Sequence, residues 1–261
     1  MKKILLLING KLGIRILNYI ISQGDIEITG IVINSTKKRS PSYPDLVSSV
    51  LRQLGKNVPV ISFEDTADSY IRIKRILDGS DYGISALFGH ILPEDLLKGI
   101  ECEIINLHPS LLPIGRGADP IPWSIINQQK QGITIHIIDS GLDTGGILSQ
   151  KEFDTNIGMN SGEIYELATE LLFEELENIF TSWINKNIKV SVQSQTPSSS
   201  HKSRDLENIR NINSNEVATF GEFVRKLQAL TFSDGRKPSF VDESGRLWRI
   251  DISVTPGGEK D

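Results

Sequence analysis

Apolar runs of strand length recur along the first 153 residues, and between them lie stretches whose apolar residues repeat at helical spacing. "KKILLLI" leads into "LGIRILNYIISQG", where Ile14, Leu17, Ile20 and Ile21 fall on one helical face and Gly24 ends it. The strands "EITGIVIN", "VPVIS", "YGISALFGH" and "EIINLHPS" follow, with helices expected over 45–55 and 66–78 and a short one, "PEDLLKG", opened by Pro93. This alternation predicts a Rossmann-like α/β fold, a mostly parallel sheet with helices on both faces. Beyond residue 132 two more strands, "GITIHII" and "GGILSQKEF", are joined by a turn-rich link, "DSGLDTGG". A long helix is expected over 161–186, with Ile164, Leu167, Leu171, Leu172, Ile179, Phe180 and Trp183 as its apolar stripe. The segment 194–204 reads as a loop. The helix "TFGEFVRKLQAL" and a hairpin, "SFVDESGRLWRIDISV", turning at Glu243-Ser244-Gly245, complete a small C-terminal unit. The expected division is therefore an α/β domain over 1–190 and a subdomain over 191–261, in which Phe220, Phe240 and Trp248 read as packing residues. The polar run at 35–44, "STKKRSPSYP", reads as a solvated loop or a lid, and "TPGGEKD" as a frayed tail.

Bulk properties exclude several classes. No apolar run reaches membrane-spanning length, and "MKKILLLING" breaks at Asn9-Gly10, too early for a cleaved leader. A single cysteine, Cys102, rules out an internal disulfide and fits a reducing cytoplasm. A formal net charge of −5 gives no support for a nucleic-acid partner. His90, His108, His136 and His201 form no metal-ligand pattern. His136, between Ile135 and Ile137, reads as a structural polar residue.

In "NLHPSLLP", Asn106 and His108 stand two residues apart at a strand's end and so share one face. Ligands of open parallel sheets bind beyond the carboxyl ends of strands. There an imidazole can act as acid or base, and an amide can donate to a developing oxyanion. The alternative is that both side chains only tie down the following loop. In "DSGLDTGG", Asp139 and Asp143 either reach into that cleft or cap a solvated turn. Arg116, flanked by Gly115 and Gly117, suits an anionic group. "NGKLG" suits a phosphate-binding turn at a helix N-terminus, unless Gly10 only makes the turn.

Together, "NLHPSLLP", "RGADP", "GITIHIID" and "GLDTGGIL" resemble the formyltetrahydrofolate-dependent formyltransferase family, most strongly over residues 80 to 150. The resemblance implies a catalytic trio of Asn106, His108 and Asp143. It implies 10-formyltetrahydrofolate as formyl donor, lying against "LFGHILP", with main-chain groups near Phe88, His90, Ile91 and Leu92 facing the pterin and Asp139 and Gly141 opposite. His90 stands where relatives carry varied residues. The tail, "FVRKLQALTF" then "PSFVDESGRLWRI", is similar to that of nucleotide-sugar N-formyltransferases. That implies a dTDP- or UDP-linked aminodideoxy sugar as acceptor, destined for a surface polysaccharide such as lipopolysaccharide or O-antigen. Gly10, Lys11, Arg116 and Gly117 are the candidate substrate contacts. No metal, no nucleic acid and no membrane are implied, and a cytoplasmic homodimer is. The alternatives are an enzyme like the methionyl-tRNA formyltransferases, and a folate- or sugar-binding protein without turnover.

Overall fold

A computed structural model describes residues 1–35, 42–53, 55, 57–194, 199–213 and 215–255. In chain order the elements are β1 (Lys2–Ile8), α1 (Gly10–Ser22), β2 (Ile26–Ile33), α2 (Tyr43–Gln53), β3 (Val60–Ser62), α3 (Ala67–Leu77), β4 (Tyr82–Ala86), α4 (Glu94–Leu97) and β5 (Glu103–His108). Then come β6 (Arg116–Gly117), α5 (Pro120–Ile126), β7 (Gln131–Ile137), β8 (Ile147–Phe153), α6 (Ser161–Ile184), β9 (Ser200–His201), α7 (Ser203–Arg210), α8 (Phe220–Ala229), β10 (Ser239–Val241) and β11 (Leu247–Arg249). A seven-stranded sheet runs in the order β3-β2-β1-β4-β5-β7-β8. The pairs β2–β3, β1–β2, β1–β4 and β4–β5 are all parallel. This is the α/β arrangement expected.

Packing divides the chain into two compact units built from interleaved stretches, whereas the sequence reading cut it once, after residue 190. The first unit holds Met1–His108, Ile135–Ser149 and Leu172–Gln193; the second holds Pro109–Thr134, Gln150–Leu171 and Ser194–Asp261.

In the first unit β1 is buried on both faces, which explains its unbroken apolar run. Leu5 and Leu7 pack with Val32, Ile73 and Leu77, while Ile4, Leu6 and Ile8 point to the opposite face; these five side chains are fully buried. On that opposite face a side chain at Gly13 of α1 would collide with Ile8, so glycine lets helix and strand approach closely. The carboxyl end of α6 is pinned to the sheet. The Tyr82 hydroxyl donates to the carbonyl of Ile184 at 2.8 Å, and Trp183 Nε1 donates to Glu103 at 2.7 Å. Glu103 opens β5, the strand that carries Asn106 and His108.

In the second unit Leu206, Leu230 and Phe232 form a small core with Trp123 and Ile209. A reciprocal capping pair, Thr219 and Glu222, starts α8. The hairpin β10–β11 sets Phe240 opposite Trp248. Phe220 is 84% exposed and Trp248 44%, so these two lie at the surface rather than in a core.

Three stretches depart from the sequence reading. The strand expected over "YGISALFGH" stops at Ala86, because Leu87 takes a φ of 55° and turns the chain. Helix α5 has no counterpart among the expected elements; it begins with a proline, which is tolerated where the missing N–H would be unpaired anyway. The expected loop at 194–204 contains β9, paired with β6, and the start of α7, whose one buried residue is Leu206. Residues 36–41 of the expected lid or loop, 195–198 and the tail from 256 lie outside the described residues.

Replacing Tyr82 by Phe leaves the buried Ile184 carbonyl without its partner, so stability should drop by about 1–3 kcal/mol. The drop should appear as a lower urea midpoint with unchanged slope. A wild-type midpoint would contradict this account of the α6 anchor.

Candidate active site

The site grows from the carboxyl ends of the strands. Within the first unit, β1 pairs with β2 on one side and β4 on the other, a reversal of strand order of the kind beside which α/β proteins bind ligands. Asn9 N donates to the carbonyl of Ala86 at 3.1 Å, closing this edge. Gly10, with a φ of 63°, opens α1, and a side chain there would meet Leu87. Lys11 is exposed on the first turn.

On β5, Asn106 pairs in register with Ser85 of β4, and His108 lies two residues on, 5% exposed. His136, on β7, completes the group. Its Nδ1 lies 2.9 Å from the carbonyl of Ile137, and its Nε2 lies 3.2 Å from Asn106 Nδ2 and 3.6 Å from an Asp143 oxygen. The other Asp143 oxygen is 3.9 Å from His108 Nδ1. One carboxylate thus stands between two imidazoles, with the amide of Asn106 against one of them. Burial, followed by the nearby His108, pushes the pKa of His136 down to about 4, although Asp143 and the Ile137 carbonyl favour its protonated form. The ring is therefore neutral near pH 7. It bonds through an Nδ1–H to Ile137, which leaves Nε2 to accept from Asn106.

Asp143 is held from its backbone. Its φ is 51°, a left-handed conformation that non-glycine residues adopt at a cost of about 1–3 kcal/mol. Gln193 offsets that cost by donating to the carbonyls of Asp143 and Gly145, both at 2.8 Å. Asp139 accepts from Gly141 N at 3.1 Å and from the Thr144 hydroxyl at 2.6 Å, shaping the same loop. Gly145 is required, because a Cβ there would lie 1.9 Å from the Ile137 carbonyl oxygen.

The stretch assigned to the folate is also fixed locally. Asn34, at the end of β2 and 2% exposed, accepts from Gly89 N at 3.0 Å, and its amide donates to the Leu87 carbonyl at 3.4 Å. His90 accepts from Ser35 N at 3.3 Å and lies against Phe63, with ring centres 4.4 Å apart; Phe88 meets Phe63 edge-on at 5.4 Å. Leu92 is buried and Ile91 is 72% exposed. A cavity of about 380 Å³ nearby in the sequence of this unit is lined by Leu97, Ile100, Cys102, Ile104, Ile138 and Asp139. Burial pushes the Cys102 thiol up to about 12, so it serves as an inert wall. Among the described residues no cluster of His, Cys, Asp or Glu could hold a metal ion.

Of the candidate catalytic, folate and substrate residues, all but Arg116 and Gly117 belong to the first unit. Asn106, His108 and Asp143 come together as a group. Arg116 and Gly117 belong to the second unit, where they form β6 and pair with Ser200 and His201. Three residues escaped the sequence reading: His136, Gln193 and Asn34. For His136 the signal was present, a histidine in an apolar strand just before the acidic link; Asn34 and Gln193 act through backbone groups that no local pattern announces.

Comparison with known proteins follows the same residues. A family model described as "Formyl transferase" matches residues 50–176, and one described as "N-formyltransferase dimerization C-terminal domain" matches residues 205–256. The dTDP-4-amino-4,6-dideoxyglucose formyltransferase of Mycobacterium tuberculosis is 33% identical over 189 residues, 71% of this chain and 78% of that protein. A solved structure from the same organism, described as a likely sugar N-formyltransferase, has a TM-score of 0.79 at 27% identity, covering 99% of this chain and 100% of that one. The formyltransferase PseJ from Anoxybacillus kamchatkensis, solved with UDP-4,6-dideoxy-4-formamido-L-AltNAc and tetrahydrofolate, has a TM-score of 0.59 at 26% identity, covering 87% of this chain and 98% of that one.

Two outcomes are expected of this site. Gly145→Ala should displace the Asp143 loop and abolish most activity; unchanged activity would mean that the loop geometry is not needed. His136 titrates near 6.5 when unfolded and about 4 when folded, so the unfolded chain binds more protons between those values. Its contribution, of the order of 3 kcal/mol, is present above pH 6.5 and lost as pH falls toward 4. Urea midpoints at pH 7.5 and 4.5 should therefore differ less in His136→Gln than in the wild type. An equal difference would contradict a buried neutral ring.

Proposed function

The chain belongs to the formyltransferase family, and from that premise we propose that it moves the formyl group of 10-formyltetrahydrofolate to the amine of a dTDP- or UDP-linked aminodideoxy sugar. The observation that carries the reading is the grouping of an amide, an imidazole and a carboxylate at the end of β5, with Asp143 within 3.9 Å of His108. The motif "NLHPSLLP" and the relatives that act on or hold nucleotide-linked sugars support the same chemistry.

The roles follow from what each group can donate or accept. The neutral sugar amine attacks the formyl carbon, a C–N bond forms, and the carbonyl π pair moves onto oxygen. An N–H of Asn106 and the His108 ring hydrogen-bond that oxyanion. Asp143 orients His108 and accepts the proton shed by the amine. As the intermediate collapses, the bond from the formyl carbon to N10 of the folate breaks. N10 takes up a proton, and tetrahydrofolate leaves. In this reading the folate lies along Phe88, His90, Ile91 and Leu92, with Asp139 and Gly141 opposite, and within the same unit the sugar nucleotide uses Gly10 and Lys11. Donor and acceptor are both small molecules, and no metal takes part.

The match of residues 205–256 to an N-formyltransferase dimerization domain favours a sugar acceptor over methionyl-tRNA, and supports a homodimer. The formamido sugar, still on its nucleotide, suits a glycosyltransferase that builds a surface polysaccharide such as lipopolysaccharide or O-antigen. Cys102 is the one cysteine, consistent with work in the cytoplasm.

The test is a transfer assay with 10-formyltetrahydrofolate against a panel of dTDP- and UDP-linked amino sugars, read by product mass. One sugar should gain one formyl group, and Asn106→Ala should lower kcat by about 100- to 1000-fold. No transfer to any sugar, together with salt-sensitive binding of tRNA, would overturn the proposed acceptor.

A further inference from the structure

We propose that His136 is a positioning residue that holds the Asn106 amide with its nitrogen, not its oxygen, presented to the reaction. The inference rests on the formyl-transfer reading above and adds a residue outside the Asn106, His108 and Asp143 trio.

The geometry leaves the ring one arrangement. His136 is 1% exposed, so its two nitrogens must find partners within the protein. Nδ1 faces a carbonyl oxygen, that of Ile137 at 2.9 Å, and a carbonyl can only accept. The ring proton of the neutral imidazole is therefore on Nδ1, and Nε2 carries a lone pair. The Asn106 amide stands 3.2 Å from that lone pair. Only its Nδ2 can face Nε2 favourably; a flipped amide would set oxygen against lone pair. One Nδ2 hydrogen is spent on His136. The other remains for a second acceptor, and the side chain of Asn106 has no further hydrogen-bond partner among the described residues.

Catalysis needs that orientation. An amide free to flip would point its carbonyl oxygen at the developing oxyanion half the time and repel the charge that it should stabilise. Fixing the amide in advance removes that loss without any contact between His136 and the substrate. Asp143 Oδ1, 3.6 Å from Nε2, approaches the same corner, so the ring also sets where the carboxylate can stand.

His136→Phe keeps a ring of similar size but has no acceptor at the Nε2 position, whereas the amide oxygen of His136→Gln can reach it. His136→Phe should lower kcat by about 10-fold or more with KM for the folate nearly unchanged, and His136→Gln should recover most of that loss. The decisive comparison is a double-mutant cycle. On an Asn106→Ala background, where there is no amide to hold, His136→Phe should change kcat by less than about 2-fold. The proposal is overturned if His136→Phe keeps wild-type kcat, if it costs the same in both backgrounds, or if a folded His136→Gln is as slow as His136→Phe. A wild-type protein that transfers no formyl group would instead count against the function. The cycle would then be read in urea midpoints, where additive effects would refute the hydrogen bond itself.

Discussion

The hydrogen bond from Asn106 on β5 to His136 on β7 ties two strands together in the middle of the candidate site. His136 is 1% exposed, and a buried imidazole left without a partner costs several kcal/mol, so the ring holds the half-buried Asn106 amide against it. Ile138 N, just past β7, donates to the carbonyl of Ile104 on β5 at 2.7 Å and continues the same link in the backbone. With that register in place, His108 and Asp143 follow. The first lies two residues along β5 on the same face as Asn106, and the second sits on the loop that β7 feeds.

Around this rigid centre the chain accepts local strain. Leu87 and Asp143 both take left-handed backbone conformations that a side chain disfavours. Each is held by a buried amide from elsewhere in the chain, Asn34 for the turn after β4 and Gln193 for the Asp143 loop. Such strain persists only where surrounding structure over-determines it, and both cases fall on segments assigned to the donor or to the chemistry. The residues that do the holding contribute no group to the reaction.

Much of this was legible in the chain because it depends on short-range pattern. The run "KKILLLI" reads as a buried strand, and "NLHP" with two polar residues of the same parity points at a strand end. What escaped depends on partners distant in sequence. Nothing near Asn34 or Gln193 announces that their amides grip backbone 53 and 50 residues away. His136 reads as a structural polar residue because isoleucines stand on either side of it in the chain; its position beside Asn106 exists only once β5 and β7 are adjacent in the sheet. Helix α7, whose first two residues fall in the expected loop over 194–204, leaves little apolar signal, because it buries one leucine.

The most direct measurement is a structure of the chain with a stable formyl-bearing folate and a nucleotide-linked amino sugar bound together. The account predicts the formyl oxygen at about 3 Å from Asn106 Nδ2, with the His108 ring beside it and the sugar amine facing the formyl carbon near Asp143. A formyl group lodged away from the end of β5, with Asn106 still bonded only to His136, would contradict it.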